Sequence, residues 1–98
     1  MLFRSPTANS YERLGWAYFR LGDYPRSLEG YRESVRLDPQ HWPGWNGIGV
    51  NMLNLWLQGD RKDASQLEQA KGAFQHSLQI NPEQPKVQKL LAAYAPKP

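Results

Sequence analysis

The sequence has no cysteine and only two histidines and two methionines in 98 residues. Without cysteine there is no disulfide framework, no thiol nucleophile and no cysteine-ligated zinc, and the redox compartment is left open. No apolar run approaches the ~20 residues that a bilayer-spanning helix needs, so membrane insertion is not expected. Met1-Leu2-Phe3-Arg4 is too short and too polar to serve as a secretory signal. Neither sign of charge dominates. Twelve Lys and Arg stand against nine Asp and Glu, a net charge of +3, and among the basic residues only Arg61 and Lys62 are adjacent. Scattered charge of this kind solvates a surface and does not form the dense basic stripe of a nucleic-acid footprint.

Convergent chemistry is missing as well. His41 and His76 lie 35 residues apart, and neither has a histidine or an acidic residue four positions on to complete a metal pair. No Gly-x-Ser-x-Gly nucleophile motif occurs. Gly44, Gly47 and Gly49 follow no strand, so they do not form a phosphate loop. Close approach at a helix junction is the reading for Gly44 and Gly47. No catalytic residue, metal, cofactor or small-molecule substrate is expected.

What the chain does contain is helical periodicity with regular punctuation. Tyr11, Leu14, Tyr18 and Leu21 recur at spacings of three and four, which predicts a helix from about Thr7 to Leu21 with those residues on its inner face. Gly22 is placed to end that helix, Asp23 to cap the next, and Pro25 to fill its first turn. The second helix, about Tyr24 to Leu37, turns Leu28, Tyr31 and Val35 inward, with Ser27 and Ser34 as small contact residues. Arg26, Glu29, Arg32, Glu33 and Arg36 form its outer face. Asp38-Pro39 then stops it, because the residue before proline is driven out of the α region.

The run Tyr11-x2-Leu14-Gly15-x2-Tyr18, then Ser27-x3-Tyr31 and Asp38-Pro39, resembles the tetratricopeptide repeat, a helix–turn–helix of about 34 residues. Tyr11 stands where the family has Trp, and Ser27 where it has Ala. A second copy follows in register. Trp45-x2-Ile48-Gly49-x2-Met52 repeats the opening, Ala70-x3-Phe74 and Asn81-Pro82 repeat the close, and Gly15 and Gly49 are 34 residues apart. From Gly to terminal Pro the second copy is nine residues longer. Aligning Gly59-Asp60 with Gly22-Asp23 assigns three of these to the first helix and six to the turn and second helix. The tip, Gln58 to Ser65, is expected to project beyond the first hairpin, held by Leu55, Trp56, Leu57 and Leu67. Glu83 to Tyr94, with Val87, Leu90, Leu91 and Tyr94 at helical spacing, reads as a closing helix. Such a helix is needed because repeats cannot bury their last face alone.

The resemblance implies an all-α solenoid of two antiparallel helix pairs plus a closing helix, stacked in a right-handed superhelix. The divisions are a disordered or non-native leader (1–7), a first repeat (8–41), a second repeat (42–83) with the insertion near 56–66, a capping helix (84–95) and a tail (96–98). It further implies a protein–protein interaction scaffold that binds a partner's peptide in a concave groove lined by the first helices, as the C-terminal part of a longer repeat protein. In this sequence the groove positions are Asn9, Glu12, Trp16, Phe19 and Arg20, then Asn46, Val50, Leu53 and Asn54, then Lys86 and Lys89, with Gln40 and His41 beside them at the junction. One subtype of the family grips a C-terminal carboxylate with Lys and Asn. The matching positions here hold Glu12, Trp16 and Gly47, and Glu12 would repel the ligand, so that subtype is rejected. The alternatives are a regulatory or assembly tail of a larger enzyme and a nucleic-acid-binding helical repeat; exposed repeat faces also allow self-association.

Overall fold

A computed structural model describes residues 6–94, so residues 1–5 of the expected leader, the last residue of the expected capping helix and the tail at 96–98 lie outside the described residues. Five helices follow one another: α1 (Ala8–Arg20), α2 (Tyr24–Leu37), α3 (Trp42–Gln58), α4 (Ala64–Ile80) and α5 (Pro85–Ala93). The two tightest pairings are α1 with α2 and α3 with α4. Then α2 packs against α3, α1 lies beside α3, and α5 closes on α4. This is an all-α stack of two helix hairpins.

Local chemistry sets the boundaries. The Thr7 side chain accepts from the Ser10 amide, Asp23 from Arg26 and Asp63 from Ser65, so three helices carry side-chain N-caps. α1 ends in a Schellman motif, with Asp23 N–H on the Tyr18 carbonyl and Gly22 N–H on that of Phe19. Gly22 takes the left-handed conformation that this motif requires, at φ 78°. α3 ends in the same motif, but its left-handed residue is Asp60 (φ 58°), which donates to the Leu57 carbonyl while Arg61 donates to that of Trp56. The structural counterpart of Gly22 is therefore Asp60 and not Gly59, and Asp63 rather than Asp60 corresponds to the cap Asp23. The extra nine residues divide accordingly. α3 has 17 residues against 13 in α1, α4 has 17 against 14 in α2, and the turn gains the remaining two.

The two hairpins share two internal contacts at matched positions. A Cβ on Gly15 would come within 2.9 Å of the Tyr31 ring, and one on Gly49 within 2.7 Å of the Phe74 ring, so each aromatic lies flat over its own glycine. Ser34 Oγ donates to the Ala8 carbonyl at 2.7 Å, and its counterpart Ser77 Oγ donates to that of Trp42 at 3.3 Å. The small serines expected at the contact thus also anchor the second helix to the backbone of the first. Gly44 and Gly47 have a firm reason. A Cβ on Gly44 would press on Val35, and one on Gly47 would enter the Tyr31 ring, so both glycines let α2 approach α3. Met52, Ala70 and Phe74 form the buried cluster, with Leu28, Ile48, Leu53, Leu55, Val87, Leu90 and Leu91 packed around it. α5 therefore covers the end of the second hairpin with its apolar face.

Two inward placements do not hold. Leu14 is 45% exposed and Leu21 78% exposed. Leu21 is the C-cap residue of α1, at the hairpin turn, and is left to solvent there. Leu14 remains on the face with Tyr11 and Tyr18, but among the described residues no helix covers that side of the α1–α2 pair.

Candidate functional site

The first helices of the two hairpins lie side by side, and the closing helix packs on α4. On α1, Glu12, Trp16 and Arg20 succeed one another at four-residue intervals, as Asn46, Val50 and Asn54 do on α3, which places each set along one face. Two lateral ties stitch these helices to the junctions that follow them. His41 Nε2 lies 2.8 Å from Glu12 Oε1, both side chains being mostly buried. Two residues past the second hairpin's closing Pro82, Gln84 Oε1 accepts from Asn46 Nδ2, also at 2.8 Å. Glu12 and Asn46 are 34 positions apart, as are the helices they stand on, so one tie is used twice with different chemistry. An ionised Glu12 only accepts, which makes the His41 ring N–H the donor.

Burial accompanies this tie. The Tyr31 phenol sits between the hairpins, where desolvation, helped by the negative charge of Glu12, pushes its pKa up to about 12. Gln84 is buried and saturated. Its Nε2 donates to Ser77 Oγ at 2.9 Å and to the Asn81 carbonyl at 2.8 Å. Asn51 is buried with it as a structural polar residue, donating to Ser27 Oγ and the Gly47 carbonyl at 3.0 Å each. Ser27 in turn donates to the Gly15 carbonyl at 2.7 Å, so α1, α2 and α3 are linked through a single hydroxyl.

The expected groove residues do not share one environment. Trp16 is 55% exposed and carries the Arg20 guanidinium over its ring, 4.9 Å from the centroid. Val50 is 38% exposed on α3. Asn46, Lys86 and Lys89 line one open cavity of about 590 Å³ with Gln84, Pro85 and Val87, and the two lysines have no carboxylate partner among the described residues. Glu12 and His41 are brought together, but with each other. Phe19 is half-buried, its ring edge-on to Tyr24 at 5.3 Å, and Leu53 is half-buried against the Met52–Ala70–Phe74 cluster. Asn9 and Gln40 are exposed, Gln40 donating its N–H to Asp38 Oδ1. Asn46 Oδ1 and Asn54 Nδ2 are sheltered without a hydrogen-bond partner.

Sequence reasoning did not single out Gln84 or Asn51. Gln84 was recoverable from register, since it follows Pro82 as His41 follows Pro39. Asn51 carried a weaker signal, a polar residue in an otherwise apolar stretch four positions after Gly47. Among the described residues no group of three His, Asp or Glu is arranged to hold a metal ion, and no helix is long and apolar enough to cross a membrane. His76 stacks on Trp45, ring centroids 4.1 Å apart, and the Trp45 indole donates to the Pro39 carbonyl.

Compared with models of known families, residues 8–41 match the tetratricopeptide repeat. No curated protein matches the chain. The match spans the α1–α2 hairpin and the junction after it, and the α3–α4 hairpin repeats the glycine–aromatic and serine–carbonyl contacts of that unit. The first hairpin is a tetratricopeptide repeat. Tetratricopeptide repeats generally mediate protein–protein interaction.

Proposed function

We propose that this repeat chain binds a peptide segment of a protein partner along the exposed faces of α1 and α3, toward the cavity between Asn46 and the start of α5. The observation that carries the reading is Trp16. An indole more than half exposed, braced by Arg20, stands on the same line of helices as the exposed Val50. Large exposed aromatics serve as interface anchors because they bury much apolar area for little lost side-chain entropy. At the far end Lys86 and Lys89, beside Asn46, favour an acidic residue of the ligand. The unmet amide atoms of Asn46, beside those lysines, and of Asn54, four residues past Val50, can take partners from a peptide backbone after a small rotation of either side chain. The preferred ligand carries an apolar anchor at one end and an acidic residue at the other.

Selection of a random displayed-peptide library on the 98-residue chain tests this. Bound peptides should share that polarity, and Trp16→Ala or Val50→Glu should weaken them without shifting the thermal melt. Truncating an aromatic anchor typically costs about 2 kcal/mol or more. Peptides that bind the Trp16→Ala, Val50→Glu double variant as tightly as the parent would remove the groove from consideration.

A further inference from the structure

One glycine has no packing reason. Of the eight in the chain, six would set a Cβ within 3.3 Å of a neighbouring atom, and Gly22 needs its positive φ. Gly72, inside α4, would meet nothing within 4 Å. A glycine there costs helix stability that an alanine would not, because its backbone has more freedom to lose. Nor does the repeat require it. With Phe74 matched to Tyr31, the counterpart of Gly72 in the first hairpin is the exposed Glu29. The fold therefore accepts a long side chain at a position where α4 has none.

Gly72 lines a groove of about 640 Å³ between α2 and α4. No Cα of α2 comes within 8 Å of one of α4 among the described residues, and Trp45 and Ile48 of α3 line the space between them. The Trp45 ring is stacked on His76, and its indole N–H is already donated to the Pro39 carbonyl, so this side of the groove is held in place. The charge is of one sign. Arg32, Arg36 and His76 are the ionisable groups of the lining, and no carboxylate belongs to it. The first hairpin has Glu29 and Glu33 where this one has Gly72 and His76. Arg36 donates to both carboxylate oxygens of Glu33 along α2, which leaves Arg32 as the exposed guanidinium without an ion pair among the described residues.

We propose that the α2–α4 groove binds an extended, acidic segment of a partner protein. Its backbone passes over Gly72, a carboxylate meets Arg32, and an apolar side chain lies on Ile48. Glycine is the residue that lets a second backbone approach closely, and the guanidinium fork matches a carboxylate in shape as well as charge. Trp16, Val50, Lys86 and Lys89 take no part in this groove, so it is a second surface, distinct from the one proposed above.

A random displayed-peptide library panned on the 98-residue chain carrying Trp16→Ala and Val50→Glu, which removes the other surface, tests this. Enriched sequences, titrated as labelled peptides by anisotropy, should carry an acidic residue beside an apolar one. Gly72→Gln, which fills the groove with a neutral side chain, and Arg32→Glu should each weaken them about tenfold or more. Affinity for the parent chain should equal that for the panned variant. Glutamine is also the better helix former, so Gly72→Gln should raise the melting midpoint while it lowers affinity. The proposal is overturned if no peptide is enriched, or if binding is indifferent to Gly72→Gln or to Arg32→Glu. It is overturned equally if Gly72→Gln lowers the midpoint, since the glycine would then serve the fold. Sedimentation equilibrium showing a dimer of the parent chain that Gly72→Gln dissociates also overturns it, because a second copy would be the occupant. Peptides that bind the parent and are lost on Trp16→Ala, Val50→Glu report the other surface, so the two readings fail independently.

Discussion

The contact between Gly49 and Phe74 offers the most exacting test of how the second hairpin is packed. A Cβ added to Gly49 would lie 2.7 Å from both Cε1 and Cζ of Phe74, a ring that is 3% exposed and therefore cannot swing into solvent. Overpacking of this kind costs about 1–3 kcal/mol. Against it stands the helix propensity of alanine over glycine, about 1 kcal/mol in favour of the substitution. Gly49→Ala should then destabilise the parent by roughly 0–2 kcal/mol, the difference between these two effects. Phe74→Leu lacks Cε1 and Cζ but keeps δ carbons, and the ring's Cδ1 would itself lie 2.9 Å from the added Cβ, so in that background the overpacking is reduced and the same substitution should cost less than in the parent. The coupling between the two positions is the part of the overpacking that the ring's outer carbons cause, up to about 1–3 kcal/mol. Phe74→Ala is the wrong background, because its cost of about 3–5 kcal/mol consumes much of the ~5–15 kcal/mol that a domain of this size has.

Urea unfolding of the parent, both single variants and the double variant, followed by circular dichroism, measures the cycle directly. One kcal/mol also moves the melting midpoint by about 4–8 °C in a chain of this length. If Gly49→Ala costs the same with phenylalanine or leucine at position 74, the ring does not lie over the glycine and the packing described here is wrong.

Three further outcomes are expected. Burial raises the Tyr31 pKa to about 12, so the neutral phenol stabilises the fold fully below its ordinary value near 10 and that stability is lost as pH rises from about 10 to about 12; Tyr31→Phe should flatten this alkaline decline in urea midpoint, and an unchanged slope would place the phenol in water. Asn51→Ala removes the donors to Ser27 Oγ and the Gly47 carbonyl together with a buried Oδ1 that has no partner and should cost about 0.5–1.5 kcal/mol, whereas an unaltered midpoint would show that the buried network contributes nothing. Replacing residues 59–63 with a three-residue turn should be tolerated, because loop length carries little entropy, while Trp56→Ala should loosen α5 by removing the edge-on contact with Tyr94 at 5.6 Å; faster amide exchange across 85–93 is the readout, and unchanged exchange would mean that the tip does not hold the closing helix.

Much of the architecture was determined by sequence alone, because helices and their ends are local. Period, caps and proline stops depend on residues within a turn or two, so the α2 bounds at Tyr24 and Leu37 and the cap at Asp23 follow from nearest neighbours. The 34-residue spacing of Gly15 and Gly49 established the repeat for the same reason, as a fixed period in the chain. Tertiary structure decided everything that depends on which faces meet. Leu14 reads as interior in a pattern that cannot show that the helix it would pack against is missing, and Leu53 reads as groove although it leans on Phe74. Glu12 reads as a free acid until His41, 29 residues away, is folded onto it. Asp60 adopts the left-handed conformation that glycine would be expected to supply, and Gly59 beside it does not, because the extra turn of α3 shifted the end of the helix by one residue. A one-dimensional period specifies which residues are equivalent, but only the stack shows that Tyr18 and Met52, equivalent in the chain, differ in burial because, among the described residues, only the second hairpin has a neighbour on that side.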